Sequence, residues 1–125
     1  EKTLALFGQY CGDKQDEYVE RTKKYLFDKS LELIEVGINV VLDWGFWMKK
    51  ERDYAKEFYE ARNMYCQFHY IDISDKTWKA RLTKRNSAIP AEETSAYFVD
   101  DNLADKFNAL FEMPSKDEID VWIKQ

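Results

Sequence analysis

The chain has 125 residues, a net charge of −5 and a pI near 5.0. This length suits one domain, at the small end for a complete nucleotide-binding α/β fold. The acidic balance argues against a general nucleic-acid-binding surface, which requires clustered Lys and Arg. The sequence shows no apolar run of about 18 residues and no signal-peptide pattern, so we expect a cytoplasmic protein without a membrane partner.

The first half of the chain reads as helix, strand, helix. Residues 4–8 resemble the end of a short helix. Apolar residues at helical spacing then predict a long helix that Asp16 caps and Gly37 ends. Residues 38–43 are an unbroken aliphatic run, which is typical of a parallel strand covered on both faces. Residues 48–64 predict an amphipathic helix. The apolar stripe of that helix comprises Tyr54, Phe58 and Tyr65.

The second half continues the alternation. Residues 66–73 form a second apolar run, and Ser74 or Asp75 can cap a helix that extends through Arg85. Strand, helix, strand, helix is the rhythm of right-handed βαβ units, so we predict an α/β fold with a parallel sheet flanked by helices. The remaining predicted segments are a connector over 87–99, a helix over 98–111 that leads to Pro114, and a short helix over 117–124.

Cysteine and histidine placement argues against a metal site. Cys11 and Cys66 are far apart, and only His69 could accompany them, so a zinc site is not expected. We interpret both cysteines as reduced, partly buried thiols. His69 falls inside a predicted strand, which favours a core histidine over a catalytic base.

Asp43 ends the first predicted strand, and ligands of parallel α/β sheets collect at the carboxyl ends of the strands. A carboxylate in this position can hold Mg²⁺ directly or through water. Alternatively, Asp43 caps the next helix. The aromatic residues that follow could stack a planar ligand or pack at the end of the sheet, and we favour packing. These residues are Trp44, Phe46 and Trp47.

Arg81 and Arg85 are four residues apart and therefore share one face of a predicted helix. Two guanidinium groups on one face can grip phosphate oxygens through paired hydrogen bonds and stabilise the charge of a transferring phosphoryl group. The alternative is a solvated face with ordinary salt bridges. Another basic group could meet an anionic substrate, although a charged helix start is more often plain surface. This group consists of Lys49, Lys50 and Arg52.

Together these features resemble the small AAA-type P-loop kinase-like ATP-binding proteins, relatives of polynucleotide kinase and chloramphenicol phosphotransferase. The resemblance implies a three-layer α/β fold and ATP with Mg²⁺ as cofactors. It also implies that Asp43 lies on the Mg²⁺ side, that Arg81 and Arg85 clamp the phosphates, and that Asn86 caps the lid. The stretches that carry the resemblance are Leu6-Phe7-Gly8, residues 40–47, Arg81-Leu82 with Arg85-Asn86, and residues 107–112 with Pro114.

The resemblance includes one departure. The family begins with a strand and a G-x-x-x-x-G-K-[ST] loop that cradles phosphates, and these 125 residues contain no such motif. The resemblance thus implies the carboxyl-terminal portion of a single domain, without its first strand, phosphate loop and first helix. The missing strand would separate residues 38–43 from 68–73, which we expect to be parallel and about 10 Å apart. An open strand edge also allows a strand-swapped homodimer.

Three functional hypotheses remain open. The first is an ATP-dependent phosphotransferase with a nucleotide and a small hydroxyl-bearing molecule as partners, inactive in this portion alone. The second is a naturally shortened, non-catalytic α/β domain that serves binding or assembly. The third is an unrelated acidic α/β protein with accidental motif matches. A phosphate loop encoded upstream of Glu1 would favour the first hypothesis, and a start codon there would favour the second.

Overall fold

The computed structural model describes residues 12–88 and 98–125. The chain divides into two compact units. The first unit comprises residues 1–43 and 89–98, and the second comprises residues 44–88 and 99–125. None of the helices in the described ranges is long and apolar enough to cross a membrane. The predictions for residues 4–8, for Cys11 and for most of the connector lie outside the described residues.

The first unit contains helix α1, Gln15–Glu35, which follows a 3-10 turn at Gly12–Lys14. The predicted end of this helix is confirmed, because Gly37 adopts φ +82° and its N–H donates to the Ile34 carbonyl at 2.9 Å. Glycine enters this left-handed conformation without the steric cost of a side chain. The predicted cap is wrong, since Asp16 lies inside the first turn, where its charge suits the helix dipole.

Residues 38–43 contradict the prediction of a covered strand. They form irregular chain without strand pairing in the described part of the molecule, and Val41 is 87% exposed. An aliphatic run becomes a strand only where neighbouring strands satisfy its backbone N–H and C=O groups. The run itself cannot supply those partners. The prediction that residues 38–43 form a strand parallel to residues 68–73 is therefore wrong.

The second unit begins with helix α2, Lys49–Glu60. The helix itself is confirmed, but its predicted apolar stripe is wrong, since Tyr65 lies beyond the helix and is 84% exposed. The buried face instead repeats at a spacing of three and four residues, as expected of a helix that packs on one side. Its buried residues are Arg52, Ala55 and Tyr59.

The remaining elements of the second unit are two strands and two helices, namely β1 His69–Asp72, α3 Asp75–Ala88, α4 Asp101–Leu110 and β2 Val121–Lys124. Both helices begin at side-chain caps. The Thr77 N–H donates to the Ser74 hydroxyl at 3.2 Å, and the Leu103 N–H donates to the Asp100 carboxylate at 2.8 Å. Such caps satisfy amide groups that have no partner within the helix.

Strands β1 and β2 pair in parallel, with His69 opposite Val121 and Asp72 opposite Lys124. The prediction of an α/β fold with a parallel sheet is confirmed in that the described residues form helices and a parallel pair of strands. The short helix predicted over 117–124 is wrong, because only Lys116–Glu118 forms a 3-10 turn before β2. β-Branched and aromatic residues suit a strand once a partner is present.

The two faces of this sheet differ. On one face the Tyr70 ring lies 4.7 Å from Trp122 and 6.4 Å from Phe111, measured between centroids, and the Tyr70 hydroxyl donates to the Met113 sulfur. On the other face His69 is exposed, so the prediction of a core histidine is wrong. Cys66, before β1, is a half-buried free thiol as predicted, and burial raises its pKa.

Candidate functional site

The candidate site lies at the carboxyl ends of β1 and β2, which meet at one edge of the sheet. The Gln125 N–H donates to the Asp72 carbonyl at 3.0 Å, immediately beyond the pairing of Asp72 with Lys124. The Asp72 carboxylate accepts a hydrogen bond from the Trp122 indole N–H at 2.9 Å. This edge is where α/β proteins with parallel strands place their ligands.

Arg81 reaches this edge from α3. The helix begins directly after β1, and Arg81 Nη1 donates to Gln125 Oε1 at 2.8 Å. Arg85 lies four residues further along α3, and both side chains are exposed. The structure therefore places an arginine pair on one helix face and brings the first of the pair to the strand ends.

Asn86 ties α3 to the segment that precedes α4. Its Nδ2 donates to the Val99 carbonyl at 2.6 Å, and its Oδ1 accepts the Val99 N–H at 3.3 Å. Val99 is buried. Both ends of the Asn86 amide thus bind backbone, which gives this residue a structural role, and its predicted role as the cap of a lid over the nucleotide stays a prediction.

Asp43 belongs to the first compact unit, whereas the three residues of α3 belong to the second. Asp43 is exposed. The alternative that it caps the next helix is wrong, since Met48 occupies the N-cap position of α2. The structure therefore gathers Arg81, Arg85 and Asn86 on one helix, and the Mg²⁺ role of Asp43 stays a prediction.

The aromatic turn after Asp43 packs within the second unit, which confirms the packing interpretation. Trp47 lies 4.4 Å from Phe107, and Phe46 lies 5.8 Å from Phe68, measured between ring centroids. A Cβ on Gly45 would clash with the Trp47 indole nitrogen, so only glycine fits beneath this ring. These contacts hold the chain that leads into α2.

Arg52 is buried and binds other parts of the second unit. The hypothesis that it faces an anionic substrate from the start of the helix is therefore wrong. Arg52 is 5% exposed, and its Nε donates to Glu118 Oε2 at 2.8 Å. Its Nη1 donates to the carbonyls of Phe46 at 3.2 Å and Glu112 at 3.1 Å. Arg52 therefore joins the aromatic turn, the segment after α4 and the 3-10 turn before β2. Lys49, in contrast, forms an exposed ion pair with Asp53.

Glu118 is the acidic partner in this cluster. The hydrogen bond from Arg52, followed by the bond from the Ser115 backbone, lowers the pKa of Glu118 from 4.5 to about 2. The same carboxylate accepts the Ser115 hydroxyl at 2.9 Å. The folded state thus stabilises the charged form of Glu118.

We expect acid to destabilise the second unit through Glu118. Its folded pKa of about 2 lies below its ordinary value of 4.5, so the unfolded state takes up the proton first as the pH falls. The contribution is complete above about pH 5 and is lost between about pH 4.5 and 2, at up to about 3 kcal/mol. Urea denaturation across this range measures the loss. The Glu118→Gln variant should show a shallower decline, and an equal decline in both proteins would contradict the assignment.

Comparison with known proteins places the chain in a family. Residues 4–114 match the protein family described as AAA domain. The chain belongs to this AAA domain family. It is therefore a small AAA-type P-loop domain, and membership indicates kinase-like nucleotide binding. Searches of curated proteins and of solved structures found no match.

Two polar residues lie at the strand edge of this AAA domain, and the sequence pattern did not predict a role for either of them. Gln125 follows the helix predicted over 117–124, and Asp72 ends a predicted strand without a predicted role. The alternation of β-branched and aromatic residues in Val121, Trp122 and Ile123 is a strand signal that could have revealed this edge. Residues 115–125 also lie beyond the family match.

Proposed function

We propose that this AAA domain is the carboxyl-terminal portion of a cytoplasmic ATP-dependent phosphotransferase, related to polynucleotide kinase and chloramphenicol phosphotransferase. Its second substrate would be a small molecule with a hydroxyl group. The observation that carries the proposal is the position of Arg81 at the carboxyl ends of two parallel strands, in a chain of this family. The phosphate loop and the rest of a three-layer sheet would come from residues outside these 125.

Arg81 and Arg85 would supply charge to the phosphates. Phosphoryl transfer needs little covalent help from a protein, so positioning and charge stabilisation account for most of the catalysis. Arginine suits this role because its guanidinium group stays protonated and offers several N–H donors in one plane. Both side chains are exposed on α3 and thus accessible to a nucleotide.

Asp43 would contribute to Mg²⁺ binding. In the described part of the chain, no group of three or more His, Cys, Asp or Glu side chains could hold a metal ion. Mg²⁺ at nucleotide sites commonly has only one or two protein carboxylates, with phosphate oxygens and water as its other ligands. The single exposed carboxylate of Asp43 fits a site in which nucleotide phosphates supply the other ligands. One carboxylate would not be enough to hold Mg²⁺ in the absence of nucleotide.

The first expected result concerns nucleotide binding by the 125-residue chain. We expect ATP·Mg²⁺ to bind with a dissociation constant near 1 mM, roughly −4 kcal/mol, because two arginines cannot replace a preorganised cradle of backbone N–H groups. Titration followed by NMR can measure such weak affinity and shows which residues respond. A dissociation constant in the low micromolar range would mean that a phosphate cradle exists within these residues.

Activity is tested with the longer polypeptide that carries a phosphate loop upstream of Glu1. We expect it to consume ATP in an acceptor-dependent way when it is presented with a panel of small hydroxyl compounds.

The lack of the phosphate-loop motif in these 125 residues supports a second candidate, a non-catalytic binding or assembly domain. An upstream region without a phosphate loop, or a longer polypeptide that transfers no phosphate, would favour that candidate.

A further inference from the structure

Asn86 connects the far end of α3 to buried backbone. Its Nδ2 donates to the Val99 carbonyl at 2.6 Å, and its Oδ1 accepts from the Val99 N–H at 3.3 Å. Val99 is only 7% exposed and lies directly before Asp100, the N-cap of α4. One side chain therefore satisfies both polar groups of a buried residue, and water competes less for such bonds than for bonds at the surface.

The rest of α3 is held weakly. None of its 14 residues is fully buried, and Trp78, Leu82 and Asn86 form a half-buried stripe at a spacing of four residues. The first turn follows directly on β1, so the chain itself holds that end. The hydrogen bond between Arg81 and Gln125 joins two exposed side chains, for which water competes. Asn86 is thus the main polar anchor of the far end of the helix.

This anchor lies beside the arginine pair. Arg81 directly precedes Leu82 and Arg85 directly precedes Asn86, so each arginine borders the half-buried stripe. If the far end of α3 rotated or moved away from Val99, both guanidinium groups would change position relative to the strand ends. A phosphate group that binds two arginines needs both in place at one time. Its affinity therefore depends on the fraction of molecules in which α3 has the competent orientation.

We propose that Asn86 is a positioning residue, which holds the orientation of α3 and thereby presents Arg81 and Arg85 to the nucleotide phosphates. This inference rests on the proposed function and adds to it the contact that orients the arginine pair. It assigns no contact between Asn86 and the nucleotide. The effect of Asn86 on nucleotide binding acts through the two arginines and is separate from its contribution to stability.

The test compares the Asn86→Leu variant with the unaltered 125-residue chain in NMR titrations with ATP·Mg²⁺. Leucine is similar in volume and equally uncharged, so the substitution removes two hydrogen bonds without changing the net charge. The positioning role predicts a dissociation constant about fivefold higher, which corresponds to the competent orientation in about one molecule in five. A purely structural role predicts a less stable protein whose folded fraction binds ATP·Mg²⁺ with unchanged affinity.

Amide hydrogen exchange shows whether α3 itself becomes more mobile in Asn86→Leu. We expect the exchange of α3 amides to accelerate by a larger factor than that of α2 amides, because only α3 depends on the bonds to Val99. Equal acceleration in the two helices would indicate a general loss of stability and would overturn the proposal.

Two control variants separate positioning from other effects. Arg52→Lys lowers the stability of the second unit from a site outside α3. Asn102→Leu makes the same substitution as Asn86→Leu, but at an exposed asparagine of α4. Both variants should bind ATP·Mg²⁺ as the unaltered chain does. A loss of affinity in either control equal to the loss in Asn86→Leu would overturn the positioning role.

Asn86→Gln is the milder variant, to be used if Asn86→Leu does not fold. It keeps the amide group on a side chain that is longer by one methylene, so the bonds to Val99 form with a shifted helix. We expect a dissociation constant about twofold higher. Unchanged affinity in this variant would contradict the proposal.

The arginine variants separate this inference from the proposed function. Replacing both Arg81 and Arg85 by alanine should raise the dissociation constant about tenfold, the value of a charge-assisted hydrogen bond. In that background Asn86→Leu should cause no further loss, because its effect acts through the arginines. If the double variant binds ATP·Mg²⁺ as the unaltered chain does, the phosphate site itself is wrong. If the double variant weakens binding and Asn86→Leu does not, the phosphate site stands and the positioning role of Asn86 is overturned.

Discussion

Replacing Arg52 by alanine is expected to lower the free energy of unfolding of the second unit by about 3 kcal/mol or more. The substitution would leave the Glu118 carboxylate, whose side chain is only 15% exposed, without its cationic partner. It would also remove the donor to the carbonyls of Phe46 and Glu112. Unsatisfied groups of this kind account for the largest effects of single substitutions. Urea denaturation near pH 7 measures the change.

Lys49→Ala is the matched control for Arg52→Ala. It removes a basic side chain from the same helix, but one whose ion pair with Asp53 is exposed, so we expect a change below about 1 kcal/mol. Arg52→Lys should fall between the two, because an ammonium group keeps the charge and cannot reproduce the planar set of donors. If Arg52→Ala and Lys49→Ala were equally stable, the connecting role of Arg52 would be excluded.

The second large effect concerns phosphoryl transfer, and it applies to the longer polypeptide with a phosphate loop that we propose above. Replacing Arg81 or Arg85 by alanine, or Asp43 by asparagine, is expected to lower the rate of phosphoryl transfer by about 100-fold or more. The removed charges would act on the nucleotide and its metal ion. The free energy of unfolding should change by less than about 1 kcal/mol, since these side chains are exposed. Steady-state kinetics and urea denaturation of the same samples test both statements.

Lys79→Ala is the control for these substitutions, because it removes a charge from α3 outside the arginine face. Its activity should equal that of the unaltered protein. Unchanged turnover in all three site variants would reject the assigned roles. A large loss of stability in Arg81→Ala would instead show that its bond to Gln125 serves the fold.

The helices were predictable from sequence because their determinants are local. The spacing of apolar residues predicted α1, and Gly37 marked its end. The start of α3 was predicted from its possible caps, Ser74 or Asp75, and the structure shows Ser74 in that position. Boundaries differed by a few residues, as expected where caps depend on the surrounding chain. Arg81 and Arg85 could be placed on one helix face for the same reason, since that placement follows from helical geometry alone.

The strands were less predictable because a strand needs a partner. Residues 38–43 have a stronger strand pattern than residues 121–124, yet only the latter pair with β1. Pairing distant segments depends on where the intervening chain brings them, and neither pattern contains that information. Missing the second strand also concealed Gln125 and the edge that it shares with Arg81.

Sequence by itself determined the α/β class, the helices and the arginine pair on α3, because these follow from periodicity and from spacing within one element. Tertiary structure alone decided which charges are buried and which stay available. Arg52 and Arg81 both lie on helices, yet one binds Glu118 in the interior and the other an amide at the sheet edge. The difference arises because burial depends on what distant segments bring to a side chain, and a basic residue is neutralised only where folding places an acid beside it.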